Sequence, residues 1–186
     1  MARIPYYDPA QATGRLAKAF ARLPPLNAFL MLGHLGDMMD GVTKLGIQIL
    51  SFGSLDPVMR EIALVRVGVL SRCKYEIQQH EIICRGLGMS DALIAAIHQG
   101  PDASVFSETE RQVMMFTDDV VLNVRAGDAT FVPLRNKFGE RRLQELTVAI
   151  GFYMMFCRFL ETFDVDLEEG PTKIKAIPGA STLPPG

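Results

Sequence analysis

The sequence has no tryptophan, only three cysteines and a small net charge. It contains 19 Lys and Arg residues against 21 Asp and Glu residues, a formal net charge of −2 at pH 7. A surface for nucleic acid or for an anionic membrane needs clustered Lys and Arg, so we expect neither partner. The cysteine number is odd and the N-terminus has no apolar signal-peptide core. We therefore expect a cytoplasmic protein without a disulfide framework.

Long apolar runs and strand-like alternation are missing as well. The longest apolar run without a charge covers residues 146–157. A membrane span needs about 20 such residues, so this run predicts a buried helix and no membrane segment. No stretch alternates convincingly between apolar and polar residues with a period of two, which argues against strands.

Helix start and stop signals are abundant instead. Asp56 and Pro57 predict the start of one helix, because an N-cap carboxylate followed by proline is typical of helix N-termini. Ser71 is expected to cap a second helix, and Gly86 and Gly88 can close it. The functional interpretation depends on this pair of helices.

The C-terminal half is also predicted to be helical. A capping box at residues 107–110 opens one helix. Pro133 should kink or shorten the next helix, and Gly139 should end it. A long helix over about residues 140–163 should follow, surrounded by protein on nearly all sides. We therefore predict a single all-α domain.

Four side chains in the central helix pair could carry chemistry: Glu61, Cys73, Glu76 and His80. Cys73, Glu76 and His80 are spaced i, i+3 and i+7, so they lie on one face of the second helix. Glu76 and His80 are one turn apart, where a carboxylate can orient an imidazole and raise its basicity. A solvated surface pair with the same spacing is the alternative.

The motif around these side chains is similar to that of a known family. Arg-Glu-x-x-x-x-Arg-Val, followed by Cys-x-Tyr-Glu-x-x-x-His, resembles the carboxymuconolactone decarboxylase family, which includes the alkylhydroperoxidase D-like proteins. The resemblance covers roughly residues 25–165. Peroxidase members carry Glu, then Cys-x-x-Cys, then His four residues after the second Cys. Glu61, Cys73 and His80 match this pattern, whereas Glu76 replaces the second Cys.

The resemblance implies an all-α, single-domain helical bundle of the alkylhydroperoxidase D-like type. We divide the chain into an N-terminal arm with a short helix (1–25), the helical domain (26–165) and a Pro/Gly-rich tail (166–186). The family implies a homo-oligomer, a trimer or hexamer, and the 48% hydrophobic composition also favours subunit contacts. We expect no cofactor.

Cys73 is a candidate nucleophile. At the start of a helix, the positive helix end, with Arg72 and Lys74, would stabilise its thiolate. Cys84 lies three turns further along, about 16 Å by helix rise. That is beyond the Cα separation of about 7 Å that a disulfide allows. Cys157 could approach from the last helix. A two-cysteine cycle is therefore disfavoured, and a small buried hydrophobe is the alternative role for Cys73.

Glu61 stands in an otherwise apolar helix, where a carboxylate needs a partner. It could be ionised against a cation such as Arg66 or Arg158. It could instead be protonated, with a raised pKa, and donate or shuttle a proton, as the resemblance implies for peroxidase members. A place on the exposed stripe of an amphipathic helix, beside Arg60, is the third alternative.

A metal site made of Glu61, Glu76 and His80 is a further alternative. Glu-x-x-x-His is common by chance on helices, and a third ligand would have to come from across the fold. We therefore expect no bound metal.

These alternatives lead to three functional hypotheses. The first is decarboxylase- or lyase-type proton transfer on a small organic acid or lactone, with His80 as acid or base and Glu76 as its orienting partner. Glu61 would then be a buried proton shuttle, and Cys73 a wall of the pocket. The second is a one-cysteine thiol peroxidase, in which Cys73 is oxidised to a sulfenic acid. The third is a non-enzymatic helical oligomer.

Overall fold

The computed structural model describes residues 1–168, and within them it contains eight α-helices and no β-strand. The prediction of an all-α fold is therefore confirmed. Most of the predicted C-terminal tail, residues 169–186, lies outside the described residues. The helices are α1 (Gly14–Phe20), α2 (Asn27–Leu32), α3 (Met38–Ser51), α4 (Pro57–Ser71), α5 (Lys74–Gly86), α6 (Asp91–Gln99), α7 (Glu108–Asn123) and α8 (Asp128–Thr162).

The chain divides into two compact units. The first comprises residues 1–52 and the described residues from 159 onward, and the second comprises residues 53–158. All four predicted site residues lie in the second unit. The domain boundaries predicted from the sequence differ from this division and stay predictions.

In the first unit, α1 packs against α3. The Asp166 carboxylate, which follows α8, accepts hydrogen bonds from the Ala2 N–H at 2.9 Å and from the Tyr6 hydroxyl at 3.1 Å. The same carboxylate lies 2.9 Å from the terminal amino group of Met1. The first residues of the chain are thus tied to the segment that follows α8.

The central helix of the second unit is α4, which packs against α5, α6 and α7. The Asp56 side chain caps it by accepting hydrogen bonds from the N–H groups of Val58 at 2.9 Å and Met59 at 3.1 Å. Pro57 occupies the first turn, as predicted. All residues from 60 to 68 are buried. A polar side chain in this stretch is stable only if it is paired.

The turn between α4 and α5 consists of Arg72 and Cys73. Arg72 has a left-handed conformation with φ of 55°. The Arg72 N–H donates to the Val69 carbonyl at 3.1 Å, and the Cys73 N–H donates to the Gly68 carbonyl at 2.9 Å. This pair of bonds is a Schellman motif, which ends α4 and places Cys73 at the N-cap of α5. The prediction that Ser71 caps α5 is wrong, because Ser71 is still part of α4.

Gly68 allows α4 and α5 to approach closely. A Cβ atom on Gly68 would lie 3.1 Å from the Ile77 Cγ1 atom and 3.3 Å from the Ile77 backbone nitrogen. Such contacts are tighter than van der Waals packing normally permits, so a larger residue would push the helices apart. Glu61 lies two turns before Gly68 on the same face of α4, and it therefore also faces α5.

The last helix, α8, is interrupted at Gly139, where the φ of 73° is not helical. The break predicted at Gly139 is thus confirmed. Pro133 lies inside the segment before the break, and the non-helical backbone angles occur at Gly139 instead.

After Gly139, α8 has one buried side and one exposed side. Its inward side chains include Leu146, Ile150, Tyr153 and Cys157. On the opposite side, Val148 is 51% exposed and Met155 is 45% exposed. The prediction of a helix enclosed on nearly all sides is therefore wrong for the described part of the chain. By length and composition alone α8 could cross a membrane, a criterion that the core helix of a soluble protein also meets.

Candidate active site

Four polar side chains form a continuous row between α4 and α5, which we call the charged row. The Arg60 Nε atom donates a hydrogen bond to Glu61 Oε1 at 2.8 Å. The other carboxylate oxygen of Glu61 lies 2.6 Å from His80 Nδ1. On the far side of the ring, His80 Nε2 lies 3.1 Å from Glu76 Oε2. The imidazole is thus held between two carboxylates.

The charged row is almost completely shielded from solvent, with Glu61 0% and His80 3% exposed. Burial alone would lower the pKa of His80. The charge and hydrogen bond of Glu61, followed by those of Glu76, outweigh burial and raise the pKa of His80 to about 9. His80 is therefore an imidazolium at pH 7, hydrogen-bonded through Nδ1 to Glu61 and ion-paired through Nε2 with Glu76.

Glu61 is ionised in this arrangement. Burial would raise its pKa, but the charge and hydrogen bond of His80, followed by those of Arg60, lower the pKa of Glu61 below its usual value. The ionised form was one of the alternatives from the sequence, although with Arg66 or Arg158 as the partner. The protonated and the exposed alternatives are wrong, because Glu61 is fully buried between two cations.

The two arginines expected to pair with Glu61 bind elsewhere. Arg66 donates from Nε and Nη2 to the two Asp118 carboxylate oxygens, at 2.6 Å and 2.8 Å, and from Nη1 to the Ile97 carbonyl at 3.1 Å. It therefore links α4 to α6 and α7. Arg158 donates to the Met154 carbonyl of its own helix at 2.7 Å.

Tyr153 of α8 packs against the charged row. Its ring meets the His80 ring edge to face, with centroids 4.6 Å apart and an interplanar angle of 88°. Burial, followed by the negative charges of Glu76 and Glu61, raises the pKa of Tyr153 well above its usual value. Tyr153 is therefore a neutral phenol that shields the imidazolium from solvent.

Two buried cysteines lie beside the charged row. Cys73, at the N-cap of α5, and Cys157, on α8, are both buried. The neighbouring Cys73 side chain, followed by burial, raises the pKa of Cys157 above its usual value. The negative charge of Glu76 acts in the same direction as burial. Cys157 therefore remains a thiol at neutral pH, next to Cys73 and close to Glu76.

The third cysteine, Cys84, is buried on α5. Burial, followed by the charge of Glu61, raises the pKa of Cys84 to about 12. A thiol that remains protonated is a poor nucleophile, so Cys84 is chemically quiet.

The structure brings all four predicted residues into one cluster. His80 contacts both Glu61 and Glu76 directly, and Cys73 lies one turn before Glu76 at the N-cap of α5. The metal alternative finds no support, since in the described part of the chain no three His, Cys, Asp or Glu side chains are arranged to hold an ion. Their oxygen and nitrogen atoms face each other and Arg60 instead.

Three members of the cluster were not identified as site residues from the sequence: Arg60, Tyr153 and Cys157. Adjacent helix residues do not share a face, so no spacing rule indicates that Arg60 pairs with its neighbour Glu61. For Tyr153 and Cys157, the sequence gives a weak indication that they lie on the same face of a helix. They are polar-tipped residues one turn apart in an apolar run, which is the spacing of a shared helix face.

Known structures define the class of fold. The core of an alkylhydroperoxidase AhpD from Ralstonia eutropha JMP134, an uncharacterized peroxidase-related protein, matches with a TM-score of 0.79 at 16% identity over 90% of this chain and 93% of its own. A protein of unknown function from Agrobacterium tumefaciens, described as an antioxidant defence protein AhpD candidate, matches with a TM-score of 0.66 at 24% identity over 72% and 92%. The fold is therefore of the alkylhydroperoxidase D type, as predicted.

The sequence match is to the corresponding family. Residues 36–119 match the model of the carboxymuconolactone decarboxylase family, so the resemblance predicted from the motif is confirmed. The matched region contains Arg60 and the four predicted site residues, and it ends before Tyr153 and Cys157 of α8. No curated protein sequence matches this chain.

Proposed function

We propose that this protein is an enzyme in which His80 donates a proton to a small-molecule substrate. The observation that carries the proposal is the position of a buried imidazole between two carboxylates, which raise the pKa of His80 to about 9. Glu61 stabilises the imidazolium as a fixed anion, and Glu76 orients its second N–H group. With Glu61 ionised, its role is that of a charge partner rather than the proton shuttle expected from the sequence.

The charge balance of the row keeps His80 protonated at neutral pH, so His80 is available as an acid and not as a base. With His80 protonated, Arg60 and His80 carry two positive charges, and Glu61 and Glu76 carry two negative charges. Loss of the proton would leave a net negative charge in a buried site, which is costly. A group with a pKa of about 9 holds its proton at neutral pH and can deliver it where negative charge develops on a substrate.

The proposed reaction is of the decarboxylase or lyase type, on a small organic acid or lactone. The family match supports this substrate class. In a decarboxylation the bond to the carboxylate carbon breaks, and its electron pair remains on the substrate as a carbanion or enolate. A proton from His80 would quench this charge, with Cys73 as part of the pocket wall.

The test is CO₂ release from carboxymuconolactone, compared between the wild type and the His80→Gln and His98→Gln variants. His98 is the matched control because it pairs with Glu81 on the exposed surface, at 2.8 Å. Loss of a general acid should reduce kcat by about 10²–10⁴-fold in His80→Gln only. Activity should also fall as the pH rises through about 9, where His80 loses its proton. Equal activity of all three proteins would reject the proposal.

A second candidate is hydroperoxide reduction by Cys73. The observation that favours it is the position of Cys73, which lies at the N-cap of α5. The two similar structures are also described by names connected with peroxidases or antioxidant defence. Peroxide consumption with a thiol reductant should then be abolished by Cys73→Ser and persist in His80→Ala. Under the first proposal, the His80→Ala variant should lose activity and the Cys73→Ser variant should keep it.

A non-enzymatic role is the third candidate, since a buried row of ion pairs can be purely structural. Substitutions of Glu76 would then change the free energy of unfolding, and neither the wild type nor the variants would show catalytic activity. Measuring stability and both activities on the same Glu76→Gln preparation separates the three candidates.

We also propose that the protein is a cytoplasmic homo-oligomer, a trimer or hexamer. The exposed apolar side chains Val148 and Met155 on α8 support subunit contacts, and the three free cysteines are compatible with a reducing compartment. Sedimentation equilibrium of the wild type and of Met155→Lys measures the assembly. A monomer at all concentrations would contradict the oligomer.

A further inference from the structure

We propose that Arg60 binds the carboxylate of a small organic ligand through the guanidinium N–H groups that Glu61 does not use. The inference deepens the proposed function and rests on it for the class of ligand, a small organic acid. Arg60 would then have two roles, since it stabilises the buried Glu61 carboxylate on one side and holds the ligand on the other.

The two buried arginines of α4 differ in how completely they are paired. Arg66 uses all three of its guanidinium nitrogens, because Nε and Nη2 donate to Asp118 and Nη1 donates to the Ile97 carbonyl. Arg60 is buried as well, and its Nε donates to Glu61 at 2.8 Å. Within the described part of the chain, the Nη1 and Nη2 atoms of Arg60 have no hydrogen-bond acceptor. One arginine is therefore saturated, and the other has donors to spare.

The unused N–H groups of Arg60 need an acceptor. A guanidinium cannot lose its proton in a protein, so burial does not make it neutral. A shielded donor without an acceptor costs free energy, and the cost is larger for a charged group. The Nη1 and Nη2 groups form a planar fork that matches the two oxygens of a carboxylate. A carboxylate held by two parallel hydrogen bonds is therefore the ligand that fits Arg60 best.

The order of charges in the charged row also favours an anion at Arg60. The row begins at Arg60, and its charges alternate in sign from there to Glu76 at the other end. Glu61 lies between two cations, one at each of its oxygens, so it does not fully neutralise either of them. An anion beyond Arg60 meets a positive charge first, and the nearest charge dominates the interaction energy. Arg60 is thus the end of the row that attracts a negative group.

The charged row is also least enclosed at Arg60. The Arg60 side chain is 7% exposed, whereas the side chains of the other three members are at most 4% exposed. A carboxylate bound at this end would keep water on its outer side, which lowers the cost of bringing a further negative charge to the row. A single carboxylate, that of Glu61, separates Arg60 from His80. A small ligand held by Arg60 would therefore lie near the proposed acid.

The test is a nitrogen NMR titration of the full-length protein with sodium acetate, a small carboxylate probe. The Nε–H signal of Arg60 reports binding at the guanidinium. We expect this signal to shift with acetate and to saturate. It should not respond in this way to acetamide, which has a similar shape without the charge, or to sodium chloride at the same ionic strength. An equal response to either control would overturn the proposal, as would acetate shifts confined to other arginines.

The Arg60→Lys variant sharpens the test, because it keeps a positive charge beside Glu61 but removes the planar fork. Acetate binding, followed here at the His80 ring nitrogens, should weaken by about tenfold or more. The matched control is Arg158→Lys, since Arg158 donates to the Met154 carbonyl of its own helix. This control should bind acetate as the wild type does. An unchanged affinity in folded Arg60→Lys would also overturn the proposal, and if this variant does not fold, the wild-type titration decides alone.

The acetate titration involves no turnover, so it separates this inference from the proposed function. Acetate binding at Arg60 without CO₂ release from carboxymuconolactone would support the carboxylate site and reject the proposed reaction. CO₂ release that depends on His80, without acetate binding at Arg60, would support the reaction and overturn the carboxylate site.

Discussion

Helix α5 takes part in two histidine–glutamate pairs, one on its buried side and one on its exposed side. On the inner side, His80 Nδ1 lies 2.6 Å from Glu61, and both residues are buried. On the outer side, Glu81 lies 2.8 Å from His98 of α6, with side-chain exposures of 21% and 40%. The contact distances are nearly equal, so distance does not separate a functional pair from a surface pair. The environment of the pair makes the difference.

The inner and outer pairs differ because water screens only one of them. An exposed ion pair gains little, since both charges are already well solvated when apart. The inner pair exists as part of a row in which each charge has lost its water and depends on its neighbours. Removing one member therefore leaves an uncompensated charge inside the second unit. Four variants and conditions test this contrast.

The largest effect is expected from Glu61→Ala. This change leaves Arg60 and His80 buried without the carboxylate between them, and it should cost about 3–5 kcal/mol in the free energy of unfolding. Urea denaturation measures the loss. The matched change on the outer side, Glu81→Ala, should cost at most about 1 kcal/mol. Similar losses for the two variants would show that burial does not distinguish the pairs.

The pH dependence of stability should come next. The folded pKa of His80, about 9, lies above its usual value of 6.5, so its contribution is fully present below pH 6.5 and is lost as the pH rises through 9. The decrease should be on the order of 3 kcal/mol. Unfolding curves across this range measure it. The decrease should vanish in His80→Gln and persist in His98→Gln, and a flat profile in the wild type would contradict a buried imidazolium.

A smaller loss is expected from Gly68→Ala. The new methyl group would meet Ile77 at 3.1 Å, so α4 and α5 must separate at the crossing that aligns Glu61 with His80, at a cost of about 1–3 kcal/mol. The matched change is Gly86→Ala on the exposed side of α5, where nothing lies within 4 Å of the new Cβ atom. There the gain in helix propensity should be neutral or stabilising. Equal stability of the two variants would show that the crossing is not tightly packed.

The smallest effect is expected from His98→Ala. It removes the outer partner of Glu81, which keeps a contact with Arg85 at 3.3 Å. The free energy of unfolding should change by less than about 1 kcal/mol, and 0.5 M salt should reduce the change further. Thermal unfolding of the variant at low and high salt is the measurement. A loss as large as that of Glu61→Ala would remove the contrast between the two sides.

The sequence predicted much of the scaffold because the local signals are strong. Asp56 with Pro57 determines where α4 begins, and the turn at Gly139 needs a residue that tolerates positive φ. The same rules missed the cap of α5. Arg72 takes the left-handed conformation normally given to glycine, and no pattern in the sequence indicates that an arginine would do so.

The candidate site was predictable only where its members share a helix. Glu76 and His80 are one turn apart, and their contact follows from helix geometry. The partner of Glu61 could not be chosen in advance, because the sequence does not show which of the side chains of Arg60, Arg66 and Arg158 points towards Glu61. The contact of His80 with Tyr153 depends on how two helices distant in sequence cross, which is a property of packing and not of local pattern.

The protonation state of His80 is the central claim, and a nitrogen NMR titration of its imidazole measures it most directly. We predict that both ring nitrogens of His80 carry protons at pH 7 and that the ring titrates near pH 9, well above His80 in the urea-unfolded chain. A neutral His80 ring at pH 7, with one unprotonated nitrogen, would contradict it.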